Sequence, residues 1–348
     1  MINFRFHIVS LTAVFLAFAI GLVLGTSFLD DASEKLLKNQ LDNLETDLNE
    51  ARAENTELDD QLTSLRDEDE ALDEQMGPRL FPGQLTGVPV LVVSTRGVES
   101  ELVQRAQSAV PEANGDLLGV WWLTDRLVLD DDDEVADLAT ALDLASNDVD
   151  LLRSTLAGRV SDAVLAATDA PGADQLSESF DGGADGSGPS EGEPVLLTRL
   201  HDGGFVDYEL PEDSEDEVVM LPSSGLRVVV VNGQGASVPE TDVLLPLLAD
   251  LAADAPVPAV VAAPTPVATE DGEALPPGSV DPLVAAVRGD DTLKGRVSTV
   301  DELERVAGRV ATLLVLHDAT PGAEAGHFGQ GDGAQRVLPA LPENGDGG

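Results

Sequence analysis

The most pronounced feature of the hydrophobic pattern is a run of 22 residues without a charge, from Ile8 to Leu29. At the helical rise of about 1.5 Å per residue this run spans roughly 33 Å, enough to cross a hydrocarbon core of about 30 Å. The apolar part of a secretory signal is usually shorter, about 7–15 residues. We therefore expect a retained membrane anchor. A cleaved signal stays open as an alternative because Gly25 and Ser27 imitate a cleavage site, and a buried core helix is the third interpretation.

The charges on either side of this run predict its orientation. Arg5 precedes the run, whereas Asp30, Asp31 and Glu34 follow it. Basic residues are retained on the cytoplasmic side of a membrane helix. Residues 1–30 are therefore predicted to form a cytoplasmic N-terminus and a single-pass anchor, with the bulk of the chain outside the cytoplasm.

The next segment, residues 31–77, repeats apolar residues at heptad spacing. Asn55 at an a position favours a fixed register and a dimer. The narrow a/d pattern predicts a coiled coil that self-associates, and a single amphipathic helix lying on its own domain is the alternative. Gly77-Pro78 ends the helix. The a and d positions are Leu41, Leu44, Leu48, Ala51, Asn55, Leu58, Leu62, Leu65, Asp69, Leu72 and Met76.

From about residue 88 the pattern changes to short, solidly apolar runs, each followed by a helical stretch. Buried strands that alternate with helices predict an α/β fold, with a parallel or mixed sheet covered by helices on both faces. We expect two α/β halves, 84–168 and 194–338. A disordered Gly- and Ser-rich acidic insertion, 169–193, separates them, and a disordered tail, 339–348, follows. The predicted strands are 89–94, 117–124, 226–231, 258–263 and 296–300, and the predicted helices are 98–110, 130–168, 241–253, 281–287 and 301–317.

The charge balance narrows the choice of partners. The chain has 65 acidic and 19 basic residues, a formal net charge of −46. Nucleic-acid binding needs clustered Lys and Arg, so nucleic acid is excluded as a partner. Adaptation to a saline medium, in which charge repulsion is screened, accounts for the acidity; a cation sponge is the alternative. The absence of cysteine excludes disulfides, thiolate zinc sites and iron–sulfur clusters.

Motifs for catalysis are missing from the sequence. It contains no H-E-x-x-H, G-x-S-x-G or G-x-x-x-x-G-K-[ST] pattern, so we assign no catalytic residue and expect no enzyme. Gly233 and Gly235 follow an apolar run as in a dinucleotide-binding loop, but Val238 stands where the third glycine belongs. A turn leaving a buried strand is therefore the preferred interpretation, and we assign no cofactor-binding residue.

The sequence contains few histidine and methionine residues that could bind copper. His201, His317, His327 and Met220 are the weak candidates, scattered between positions 201 and 327. Copper sites need such ligands to converge. We therefore assign no confident metal site and keep copper as a weak candidate cofactor.

Three segments together resemble a known family, and the predicted coiled coil, which occupies the same place after the N-terminal segment, is one of them. Residues 1–26, MINFRFHIVSLTAVFLAFAIGLVLGT, and residues 298–342, with Gly326-His327-Phe328-Gly329 and Gly333-Ala334, are similar to the ends of the mycobacterial copper transport protein B family of actinobacteria. The resemblance implies a membrane-associated envelope protein linked to copper homeostasis, a family in which some members are described as outer-membrane channels. The apolar pattern does not fit a membrane barrel, whose strands alternate over about ten residues.

The leading hypothesis is therefore a membrane-anchored, self-associating envelope protein of copper transport or homeostasis. Its α/β domain would bind a partner, such as another envelope protein, or a ligand. A coiled-coil envelope scaffold is the second hypothesis, and an envelope hydrolase that uses carboxylates at strand ends is the third.

Overall fold

The computed structural model describes residues 6–23, 44–46, 48–58, 60–61, 63–64, 83, 85–168, 192–211, 214, 219–266, 274–319 and 323–340. The chain divides into two units, Met1–Glu68 and Asp69–Gly348. The predicted insertion and tail lie outside the described residues, apart from positions 192–193 and 339–340.

In the first unit, the apolar run forms the helix Phe6–Val23. Its 18 residues have a mean hydropathy of 2.3, and none of that span is buried. The helix is long and apolar enough to cross a membrane.

The described residues between 44 and 64 are all helical. Leu44, Leu48 and Leu58, which occupy predicted a and d positions, are 64%, 50% and 50% exposed. An exposed row of leucines is what a coiled coil would bury. The coiled coil itself stays a prediction, and its outer parts, 31–43 and 65–77, lie outside the described residues.

The second unit is built on a seven-stranded sheet with the order β3-β2-β1-β4-β5-β6-β7. All neighbouring strands are parallel except β2 and β3, which are antiparallel. The mixed α/β fold with a mostly parallel sheet is thereby confirmed. The strands are β1 Pro89–Thr95, β2 Asp116–Leu123, β3 Val206–Glu209, β4 Arg227–Val231, β5 Ala259–Ala262, β6 Ser298–Val300 and β7 His327–Phe328.

Helices cover both faces of this sheet. Along β1, Val90 and Val92 point into one core and Leu91 and Val93 into the other, so the middle of this central strand is apolar on both faces. The helices α1 and α7 pack on the first face, here called the α7 face, and α2 to α6 pack on the second, the α5 face. The helices are α1 Ser100–Glu112, α2 Asp132–Ala141, α3 Val149–Ala166, α4 Gly192–Asp202, α5 Leu244–Leu251, α6 Pro282–Gly289 and α7 Val306–Asp318.

The connections diverge at the neighbouring strands β1 and β4. The chain leaves β1 through α1, on the α7 face, to reach β2; it leaves β4 through α5, on the other face, to reach β5. This divergence creates a topological switch point, where open α/β sheets bind ligands beyond the carboxyl ends of their strands.

Two glycines allow the loops after β1 and β4 to pack closely against each other. Gly97 has a φ of +92° and Gly235 a φ of +84°. A Cβ on Gly97 would overlap the carbonyl oxygen of Gly235, and Ser237 N donates a hydrogen bond to Arg96 O at 2.7 Å. The two loops therefore cover part of the switch point.

We predict that Gly97→Ala lowers the free energy of unfolding by about 2 kcal/mol or more, because alanine is strained at positive φ and its methyl group overlaps backbone. Gly289→Ala is the matched control. A Cβ there meets nothing within 4 Å, so its effect should stay within about 1 kcal/mol. Denaturant unfolding measures both, and equal stabilities of the two variants would contradict the prediction.

Candidate functional site

A polar cluster lies at the switch point, on the α5 face. Thr95 ends β1 and Asn232 follows β4, and their side chains are 0% and 3% exposed. The register that pairs Ser94 with Val231 makes these two residues lateral neighbours. We call Thr95, Asn232, Ser237 and Asp281 the switch-point cluster.

Asp281 joins this cluster from the start of α6. Its Oδ1 accepts hydrogen bonds from Leu283 N at 2.9 Å and Val284 N at 3.4 Å, which caps the helix. The same atom accepts a hydrogen bond from Asn232 Nδ2 at 2.9 Å. Burial raises the pKa of Asp281; these hydrogen bonds oppose the rise, and the charge of Glu240 adds to it. A carboxylate thus fixes the orientation of the Asn232 amide.

A buried ion pair lies at the end of β6. Arg288 Nη2 and Asp301 Oδ2 are 2.9 Å apart, with side chains 5% and 3% exposed. Asp301 also accepts hydrogen bonds from the backbone of Gln330 at 2.8 Å and Gly331 at 3.3 Å. Burial lowers the pKa of Arg288, and the charge of Asp301 counteracts that effect. The pair therefore binds the loop after β7 to α6 and β6.

His327 extends this network. Arg288 Nε donates to Thr299 Oγ1 at 2.8 Å, and Thr299 Oγ1 lies 2.9 Å from His327 Nδ1. His327 Nε2 lies 2.9 Å from the carbonyl oxygen of Lys294. A carbonyl can only accept, so Nε2 carries the proton and Nδ1 accepts from Thr299. Both ring nitrogens are therefore engaged within the fold.

Comparison with known proteins adds the family. The sequence profile of the family described as "Copper transport outer membrane protein, MctB" matches residues 1–339. The chain belongs to this family. It is 28% identical over 345 residues to the protein named Copper transporter MctB of Mycobacterium tuberculosis (strain ATCC 25618 / H37Rv), covering 97% of this chain and 99% of the relative. The Copper transporter MctB of Mycobacterium leprae (strain TN) is 26% identical over 350 residues, with the same coverage.

The MctB match confirms the resemblance seen in the sequence, and the structure gives its closing segment a role. Residues 323–340, the closing segment, include Gly326-His327-Phe328-Gly329 and Gly333-Ala334. A Cβ on Gly329 would overlap the Asp301 carboxylate, so that glycine permits the close approach. The residues that carry the MctB resemblance here complete the edge of the sheet.

Among the other metal candidates, His201 lies far from His327. His201, in α4, contacts the start of β3 through its Nδ1, 3.0 Å from Val206 O. β3 and β7 are the two edges of the sheet, so six intervals of about 4.8 Å separate them, roughly 29 Å. His317 pairs with Asp318 at 2.8 Å at the end of α7, and Met220 is 55% exposed. Within the described residues, no three His, Cys, Asp or Glu side chains are grouped to hold a metal.

Glu302 is a buried carboxyl group that the sequence did not single out. Residue 301 was predicted to start a helix, but Glu302 has a φ of +61° and α7 begins at Val306. Its side chain is 8% exposed and pairs with Arg305 at 3.1 Å, while burial raises its pKa. A Cβ on Gly308 would overlap the Glu302 carbonyl, so this glycine permits the turn.

The sequence pattern also did not identify the switch-point residues as a site. A signal was present: Asn232 is the first polar residue after the apolar strand β4, and Thr95 and Asp301 are polar residues at or directly after the ends of β1 and β6. Parallel strands bring such positions to one edge. Their partners Asp281 and Arg288 carry no comparable signal, because they lie in a different segment of the chain.

We predict that His327 makes stability depend on pH. Burial lowers its folded-state pKa from 6.5, as does the nearby charge of Arg288. Below pH 6.5 the unfolded chain therefore binds more protons than the folded one, and stability falls as the pH drops toward the folded pKa. The slope from this group approaches about 1.4 kcal/mol per pH unit. His327→Gln should remove this component in unfolding measured from pH 5 to 8. The exposed His317→Gln is the control, and an unchanged slope in His327→Gln would contradict the assignment.

Proposed function

We propose that this chain is a membrane-anchored envelope protein of copper homeostasis that acts through partner or ligand binding and not through catalysis. The observation that carries the proposal is the family match from residue 1 to residue 339, which includes the apolar helix, the heptad segment and the α/β domain. The N-terminus lies in the cytoplasm and the α/β domain outside it, as the flanking charges predict.

The contacts of the buried ionisable groups support a binding role. The Arg288–Asp301 pair and His327 are engaged with one another or with backbone, so they stabilise the fold. Catalytic acids and bases instead face a cleft, where substrate can reach them. Asp162 and Asp250, whose charges interact, lie on exposed helical surface, so no observation favours the hydrolase hypothesis.

Self-association through the heptad segment belongs to the same proposal. Leu44, Leu48 and Leu58 are at least half exposed, and a second copy of this segment would cover them. The domains would then be paired at the membrane surface. This arrangement also fits the scaffold hypothesis. A test of copper tolerance distinguishes the scaffold hypothesis from the proposed role in copper homeostasis.

The first test is copper tolerance. A strain that lacks the gene should stop growing at a lower copper concentration than the parent, and the full-length chain should restore growth. A version with residues 1–30 replaced by a cleavable signal peptide is the informative control. It should be exported but released from the membrane, and we expect it not to restore tolerance. Unchanged copper tolerance together with altered cell shape would favour the scaffold hypothesis.

The second test is copper binding by the purified full-length protein in detergent. We expect Cu(I) to bind no tighter than about 1 μM, about −8 kcal/mol, because cysteine is absent and methionine scarce. Imidazole is the remaining ligand suited to Cu(II). In a protein that already carries His7→Gln, replacing His201, His317 and His327 together with Gln should abolish Cu(II) binding, whereas His327→Gln alone should not weaken it. Titration calorimetry measures both, and a stoichiometric nanomolar Cu(I) site would contradict the expectation.

A further inference from the structure

Three side-chain oxygens of the switch-point cluster lack a hydrogen-bond partner although they are buried. They are Thr95 Oγ1, Asn232 Oδ1 and Ser237 Oγ. Leaving a buried polar atom unpaired is costly, and folded proteins rarely do so. Three such atoms at the ends of two neighbouring strands and in the loop after one of them therefore suggest a ligand.

The connectivity places these oxygens on one side of the Asn232 amide. Asn232 Nδ2 donates to Asp281, which starts α6, and α6 packs against β5 and β6. Strand β1 lies on the opposite side of β4 from β5. The two polar atoms of an amide point in different directions, and Nδ2 is bound to Asp281 on the β5 side. We infer that Asn232 Oδ1 is directed toward β1, where Thr95 is the lateral neighbour of Asn232. Ser237 is held beside them by its backbone hydrogen bond to Arg96.

Asp281 is a buried carboxylate without a basic partner among the described residues. Asp281 is 3% exposed, and its hydrogen-bond donors are one amide side chain and two backbone N–H groups. No ion pair with a basic side chain is present for it within the described part of the chain. Arg153, in α3, is paired with Asp242 at 2.8 Å. Buried charges are normally paired or bound to a metal ion.

We propose that the switch-point cluster binds one small monovalent cation, Na⁺, through Thr95, Asn232 and Ser237. Hydroxyl and amide oxygens suit hard cations, whose hydration shell they replace. Asp281 supports the site through Asn232, because its hydrogen bond to Nδ2 increases the negative charge on Oδ1. One buried carboxylate balances one positive charge, which favours a monovalent over a divalent ion. The site is separate from copper handling and goes beyond the proposed function.

The test is thermal unfolding of the full-length protein in detergent, with NaCl exchanged stepwise for tetramethylammonium chloride. The total salt is held at about 1 M, where charges are screened beyond about 3 Å. Surface acids then experience the same ionic strength in every sample. Above the dissociation constant, each tenfold rise in Na⁺ should increase the folding equilibrium constant about tenfold and the melting temperature by about 2–5 °C.

Substitutions test whether the stabilisation by Na⁺ arises at the switch-point cluster. Thr95→Val keeps the shape and removes the hydroxyl, so it should lose the Na⁺ response; Ser237→Ala tests the same point if Thr95→Val fails to fold. Thr312→Val is the matched control, because the hydroxyl of Thr312 donates to Gly308 O at 2.9 Å in α7, on the other face. Its response should equal that of the wild type. Broadening of the ²³Na resonance should disappear in Thr95→Val and in Ser237→Ala.

Several results would overturn the proposal. Equal stability in the two salts would mean that buried water alone occupies the cluster. A Na⁺ response retained in both Thr95→Val and Ser237→Ala would assign it to surface acids. Stabilisation by Ca²⁺ and not by Na⁺ would contradict the charge balance. None of these outcomes depends on copper, so failure here leaves the copper-tolerance test unaffected.

Discussion

The buried pair of Arg288 and Asp301 connects more of the α/β domain than any other polar contact described above. It joins the end of α6 to the end of β6, and through backbone groups it fixes the loop that follows β7. Removing one partner of a buried pair leaves an uncompensated charge, which costs about 3–5 kcal/mol. The geometry of the sheet edge, including the closing segment, therefore depends on a single ion pair.

The position of this pair explains how so acidic a chain keeps a well-packed interior. Of 65 acidic residues, Asp281, Asp301 and Glu302 are those buried among the described positions. Arg288 neutralises Asp301, and Arg305 pairs with Glu302. The other acidic residues among the described positions are at least partly exposed to water and salt, which screen their charge, so the core can be made of Val, Leu and Ala.

The sequence predicted those parts of the fold that hydrophobicity alone determines. β1, β2, β4 and β5 were predictable because their central residues are apolar on both faces, and β6 lies within the predicted strand 296–300, which is rich in β-branched residues. β3 and β7 were not, because Val206–Glu209 and His327–Phe328 are short and contain polar residues. Their extended form results from pairing with a neighbouring strand, and such pairing is not visible locally.

The polar sites were likewise only partly predictable from the sequence. Polar residues after apolar strands indicated the carboxyl edge, but the partner of each was set by the tertiary fold. His327 illustrates the consequence: as a histidine in a copper-transport family it was a natural ligand candidate, yet the structure places it beside Arg288, whose positive charge opposes a bound cation. Asp281 is the buried carboxylate without such a neighbour. In a chain of net charge −46, the number of acidic residues cannot locate a cation site. A buried carboxylate that has no basic partner is more informative, and among the described residues Asp281 is such a carboxylate.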